Sequence, residues 1–170
     1  RKIAAAIDWA KTLKGNGAEV GKMVEKGKGQ FAGPEILGKT LGIVGLGAIG
    51  VKVANTALSL GMNVVGYDPF LSVNAALGLK PGVKIVKSLN DIYAESDYIT
   101  LHLPYNKDTK DTVNAESLAK MKDGVRILNF ARGELVASKD IVDALASGKA
   151  AAYVTDFPTP EVLAMKNTVA

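Results

Sequence analysis

Gly45, Gly47 and Gly50 stand in the spacing G-x-G-x-x-G, directly after a short apolar run, TLGIV at 40–44, and before an amphipathic stretch. Each glycine has a physical job. Gly45 permits a tight strand-to-helix turn, Gly47 lets the backbone approach a pyrophosphate, and Gly50 lets the helix pack closely on the strand. Ala48 and Ile49 fall in the first turn of that helix, whose free N–H groups and positive dipole end would face the phosphates. A second apolar run closes on an acid, Asp68, eighteen residues after Gly50. There a carboxylate can accept from a ribose diol. This chemistry is dinucleotide binding, set against the plainer reading of a tight turn in some other α/β protein. The charge of Asp68 repels a 2′-phosphate, and Pro69 and Phe70 supply no offsetting cation, so NAD is expected over NADP.

Three further stretches follow apolar runs. Leu101-His102-Leu103-Pro104 holds the single histidine of the chain. No acid lies near His102 in sequence, so lining the cofactor fits His102, Leu103 and Pro104 better than a general base does. Asn129-Phe130-Ala131-Arg132-Gly133 carries an arginine out of an apolar strand into a turn. A guanidinium there can hold a carboxylate in two parallel hydrogen bonds beside a nicotinamide; taken alone, a surface salt bridge is the plainer account of Arg132. Thr155-Asp156-Phe157-Pro158-Thr159-Pro160-Glu161 offers two acids. Asp156 could bond a nicotinamide amide. Glu161 could pair with a histidine and raise its pKa; taken alone, a solvated loop is the plainer account of both acids.

The elements needed to position these residues alternate from Thr40 onward. Apolar runs at 41–45, 63–67, 83–86, 97–101, 125–130 and 151–155 predict strands, several continuous enough to be covered on both faces. Helices are expected at 48–60, 71–78, 89–95, 114–121 and 138–147. Ser88 with Asp91 suggests a capping box, Asn114 and Ser138 suggest N-caps, and Gly148 suggests a C-terminal stop. The outcome is an α/β fold, a Rossmann-type doubly wound parallel sheet with helices on both faces, in the order 3-2-1-4-5-6. Ligands of such sheets bind beyond the carboxyl ends of the strands. The final NTVA reads as the start of a further strand.

Before that core, Ile3, Ala6, Ile7, Ala10 and Leu13 share one helical face. Residues 15–38 show no periodicity and carry seven glycines. The expected division is therefore a helix plus arm over 1–38, a possible dimer contact, and a Rossmann core over 39–170. The helix opens without a cap and the chain closes on a partial strand, so a domain of a longer protein is expected.

The 170 residues are 48% hydrophobic and 22% charged, with a net charge of +4 and no cysteine. Disulfide, thiolate and cysteine–zinc chemistry are excluded, and no metal site is expected. The early lysines lack the interleaved aromatics or module of a nucleic-acid surface. No apolar run reaches the roughly 18 residues of a membrane span. A cytoplasmic protein without nucleic-acid or membrane partners is expected.

Together GLGAIG at 45–50, GYDPF at 66–70, SDYITLHLP at 96–104, NAESLAKMKDGVRILNFARGELV at 114–136 and DFPTPE at 156–161 resemble the cofactor domain of the D-2-hydroxyacid dehydrogenases, most of all those acting on 3-phosphoglycerate. The resemblance implies hydride transfer between C2 of a small anionic 2-hydroxy acid and NAD, for 3-phosphoglycerate the first step of serine biosynthesis. It implies that Arg132 binds the substrate carboxylate, that Glu161 pairs with a catalytic histidine, and that members pair as homodimers through their cofactor domains. The family's aspartate-valine-phenylalanine loop is here Asp156-Phe157, a one-residue adjustment. The family's histidine, in a proline-histidine segment, and its substrate-binding domain find no match in this chain. The fragment alone is therefore expected to bind NAD without turnover. The alternatives are an NAD-sensing corepressor-like protein, or a dehydrogenase for another 2-hydroxy acid.

Overall fold

Val44 and Val65 point into one apolar cluster and Ile43 and Val64 into another. Successive side chains of a strand face opposite ways, so these two strands are covered on both sides. The computed structural model describes residues 2–169, with side chains through Thr168. It divides into two compact units, Arg1–Glu35 and Ile36–Ala170.

In the larger unit the strands are β1 (Thr40–Val44), β2 (Asn63–Tyr67), β3 (Val83–Ile85), β4 (Tyr98–Leu101), β5 (Val125–Asn129), β6 (Ala150–Thr155) and β7 (Thr168–Val169). All neighbours are parallel, in the order β3-β2-β1-β4-β5-β6-β7. The expected 3-2-1-4-5-6 order holds, and the NTVA segment adds the short seventh strand. The helices of the core are α3 (Ala48–Ser59), α4 (Val73–Gly78), α5 (Leu89–Glu95), α6 (Ala115–Lys120), α7 (Ser138–Ser147) and α8 (Pro160–Leu163).

Local chemistry explains where the helices begin. Ser88 and Asp91 form a reciprocal capping box on α5, and Asn114 and Ser117 form another on α6. Gly148 ends α7 in the left-handed region at φ 81°, a conformation with no steric cost for glycine. Ser138 is not the N-cap of α7; Ala137 is. The Ala137 N–H is drawn to the Val113 carbonyl at 2.8 Å, which leaves the Ala137 carbonyl free to start the helix by accepting from Ile141. Element ends otherwise differ from expectation by a residue or two, as fraying termini do.

The smaller unit corrects the sequence reading. Residues 15–38 are not uniformly irregular, because α2 spans Val20–Gly27 between 3₁₀ turns at Gly17–Glu19 and Lys28–Phe31. Val20, Val24 and Gly27 form its half-buried side, a periodicity hidden by the surrounding lysines and glycines. The opening helix α1 (Ile3–Thr12) rests on this segment through Trp9, whose ring lies 5.2 Å from that of Phe31. Ile3 and Ile7 remain 66% and 51% exposed.

Candidate functional site

Strand register brings the separate loops together. Val44 pairs with both Tyr67 and Leu101, Leu101 with Asn129, and Asn129 with Thr155. In a parallel sheet these five residues make one row at the carboxyl edge. The next residue of each chain segment, Gly45, Asp68, His102, Phe130 and Asp156, therefore stands on one rim.

At the β1 corner the three glycines differ in what surrounds them. Gly45 has φ +97°, donates its N–H to Tyr67 O at 2.8 Å, and would place a Cβ 2.5 Å from the His102 carbonyl oxygen. A Cβ on Gly50 would overlap the Gly45 carbonyl oxygen, whereas one on Gly47 would meet nothing within 4 Å. Gly45 and Gly50 are thus required by the fold. The protein itself does not require Gly47, and the open space above it suits a phosphate at close approach. Gly47 caps α3 with no side-chain hydrogen bond, and no acid occupies the first turn. The N–H groups of Ala48, Ile49 and Gly50 have no intrahelical acceptor; Ala48 and the 65% exposed Ile49 are open to solvent. A 12-residue helix aims its positive end there. These residues fit a pyrophosphate.

Asp68 has a second role that sequence alone did not reveal. Its carboxylate accepts from Leu46 N at 2.9 Å and from Phe70 N at 2.8 Å, tying β2 to the glycine turn. It remains half-buried at the rim. His102 donates its N–H to Val44 O at 2.8 Å, and its ring Nε2 lies 3.1 Å from Thr100 Oγ1. Burial holds its pKa below the ordinary 6.5. Leu103 is half-buried against the Gly45 turn, and the Pro104 carbonyl accepts from Thr109 Oγ1 at 2.6 Å.

At the other end of the rim, Phe130 is 53% exposed and Ala131 packs on the core. Arg132 is exposed; its Nη1 donates to Ala131 O at 2.6 Å. Among the described residues no carboxylate forms an ion pair with it, so the salt-bridge account of this arginine finds no partner here. The fully buried Asn129 donates from Nδ2 to Arg132 O at 2.8 Å. Phe157 crosses to this loop, with its Cβ 3.3 Å from the position of a Cβ on Gly133. Phe157 N donates to the buried Thr155 Oγ1 at 3.0 Å, while Asp156 is exposed. Glu161 lies in the first turn of α8 behind the Thr159 cap. Its own backbone N–H and the Thr159 hydroxyl hold its carboxyl below the ordinary glutamate range.

The rim therefore joins a glycine corner with open space at Gly47, the Asp68 carboxylate, the His102 ring and the Arg132 guanidinium, which has no ion-pair partner among the described residues. Sequence reasoning missed Asn129, Thr155 and Tyr153 as the groups that shape the second half. The available signal was a polar residue closing a strand, as in VRILN and AAYVT.

Comparisons with known proteins agree with this geometry. The profile of the D-isomer specific 2-hydroxyacid dehydrogenase NAD-binding domain matches residues 3–170. A D-3-phosphoglycerate dehydrogenase of Methanocaldococcus jannaschii is 40% identical over 127 residues, covering 75% of this chain and 24% of that protein. A hydroxypyruvate reductase of Thermotoga maritima is 39% identical over 155 residues, covering 84% of this chain and 48% of the relative. The structure is similar to apo D-mandelate dehydrogenase of Rhodotorula graminis, with TM-score 0.78 and 30% identity, over 99% of this chain and 50% of that one. The chain thus spans half or less of the length of these proteins.

Proposed function

This chain belongs to the D-isomer specific 2-hydroxyacid dehydrogenases as their NAD-binding domain, and on that footing we propose that the protein carrying it oxidises or reduces a small anionic 2-hydroxy acid at C2. NAD, the cofactor of the matched family, supplies the hydride acceptor or donor when bound. Gly47 and the first turn of α3 receive its pyrophosphate, and Asp68 its adenosine ribose. Leu103, Pro104, Phe130, Ala131 and Asp156 line the remainder. Arg132 orients the substrate carboxylate and polarises the reacting oxygen, while Glu161 holds the imidazolium form of a histidine contributed from outside this chain. The His102 ring is half-buried with Nε2 against the Thr100 hydroxyl rather than paired with a carboxylate, which supports a lining role rather than that of the base.

The observation that carries this reading is the guanidinium of Arg132. It stands on the same rim as the glycine turn, without a carboxylate partner among the described residues. For the substrate we favour 3-phosphoglycerate, supported by the name and 40% identity of the archaeal relative; hydroxypyruvate and other 2-hydroxy acids are the competitors to screen. The same reading makes the protein cytoplasmic and homodimeric. For the dimer the support is the exposed Ile3 and Ile7 face of α1, which a second copy would cover. Light scattering at high micromolar concentration should find a dimer, and a monomer there would remove that part of the proposal.

One sample of this chain tests the rest. NAD should raise its melting temperature, since a ligand of the folded form stabilises it by about 2.7 kcal/mol at 100 times Kd. NADH formation with 3-phosphoglycerate should be absent, because the base and the substrate domain come from elsewhere. No thermal shift would refute the cofactor site, and robust turnover would return His102 to the role of base.

A further inference from the structure

We propose that Asn129 is the positioning residue for Arg132, with the Tyr153 hydroxyl as its second support. This inference rests on the reading of Arg132 as the carboxylate clamp. Asn129 closes β5 with 0% of its surface exposed, and Tyr153 of β6 is 3% exposed. Buried amides need partners for two N–H groups and one carbonyl. Asn129 finds all three: Nδ2 donates to Arg132 O at 2.8 Å and lies 3.3 Å from the Tyr153 hydroxyl, and Oδ1 accepts from Ala131 N at 3.2 Å.

The orientation of the amide is not in question. A backbone N–H can only donate and a backbone carbonyl can only accept, so the two contacts fix which side-chain atom is oxygen. They also close a ring around residues 130–132 and hold Arg132 at φ −154°, ψ 138°. The direction in which its side chain leaves the backbone is thereby set, and Nη1 adds its own bond to Ala131 O. Tyr153 pairs with Ile127, two residues before Asn129, so its ring runs along the sheet and delivers the hydroxyl to the amide. A leucine at 129 and a phenylalanine at 153 would fill the same space with nothing to satisfy. What the polar pair adds is the shape of the turn that presents Arg132.

The test uses the full-length protein carrying this chain, with NAD and whichever of 3-phosphoglycerate, glycerate and lactate is turned over fastest. Asn129→Ala should lower kcat/KM by up to about 100-fold, the scale of an ångström-level misplacement of a reacting group. NAD affinity should stay within about two-fold, because the glycine turn follows β1, two strand positions from β5 in the sheet order, and is held by other bonds. Tyr153→Phe should lower kcat/KM roughly three-fold, as for loss of one neutral hydrogen bond. In an Arg132→Lys background, where paired bonding to a carboxylate is already lost, Asn129→Ala should cost little more. A merely structural asparagine would instead give additive losses and weaker NAD binding, and either result overturns the proposal. Should Asn129→Ala fail to fold, Tyr153→Phe decides alone, since unchanged kcat/KM there removes the relay. If Arg132→Ala keeps full turnover, or no acid is turned over, the clamp reading falls and takes this inference with it. If Arg132→Ala abolishes turnover and Asn129→Ala does not reduce it, only this inference falls.

Discussion

The two halves of the rim are built in different ways. The β1–β2 half is fixed mainly by backbone: Gly45 at positive φ, Gly50 pressed on the Gly45 carbonyl, and backbone bonds from Gly45 to Tyr67 and from His102 to Val44, with the Asp68 carboxylate added on Leu46 N. The β5–β6 half is fixed by buried side chains, with Asn129, Tyr153 and Thr155 reaching loops that backbone bonding alone would leave free. At the backbone-built corner a Cβ added to Gly45 or Gly50 meets backbone that cannot rotate away. The side-chain-built corner rests on groups that can be changed one at a time, the Asn129 amide and the Tyr153 and Thr155 hydroxyls.

The glycines provide the largest test of this contrast. Gly50→Ala must drive a Cβ into backbone that cannot rotate away, and should destabilise the chain by roughly 3 kcal/mol or more, the upper range for overpacking. Gly45→Ala adds the strain of positive φ and should be as severe. Gly47→Ala meets open space at an ordinary φ of −75°. It should leave the melting temperature unchanged while abolishing the shift caused by NAD. Equal effects at Gly47 and Gly50, measured by calorimetry, would mean that the turn has no phosphate-facing position.

Next in size is Asp68→Ala, which should weaken NAD by about 1.5–3 kcal/mol, the range for hydrogen bonds to a charged group. It should also lower apo stability, because Leu46 N and Phe70 N lose their acceptor. Asp68→Asn keeps a carbonyl oxygen for one of the two and should recover part of that stability without recovering preference over NADP. Calorimetry showing NADP bound as tightly as NAD by the unaltered chain would break the assignment of this acid.

The smallest effect is the pH dependence contributed by His102, which joins the two halves through β4. Burial depresses its folded pKa, so below about 6.5 the unfolded chain takes up a proton that the folded chain refuses. Stability must then fall as pH drops from the unfolded value toward the folded one, and level off below it. His102→Asn should flatten this segment of a stability–pH curve measured by urea unfolding. An unchanged slope between pH 6.5 and 5 would assign it to other groups.

These contrasts also explain what was legible in the chain. The glycine turn, Asp68 and the caps at Ser88 and Asn114 depend on neighbours within about one supersecondary unit, so periodicity and spacing record them. Ser138 was misread because the true start of α7 depends on a bridge between Val113 and Val136, 23 positions apart. Helix α2 was missed because its half-buried side is built on two valines and a glycine amid lysines.

By itself the sequence determined the alternation of strands and helices, the glycine geometry and the family motifs, since each follows from residue type at short spacing. Only the tertiary structure decided that Asp68 holds the glycine turn and that the Asn129 amide bonds both the Arg132 carbonyl and the Tyr153 hydroxyl. It also left that arginine without an acidic partner among the described residues. Those outcomes require strand register to carry distant residues onto one rim, where burial makes each polar group find a partner.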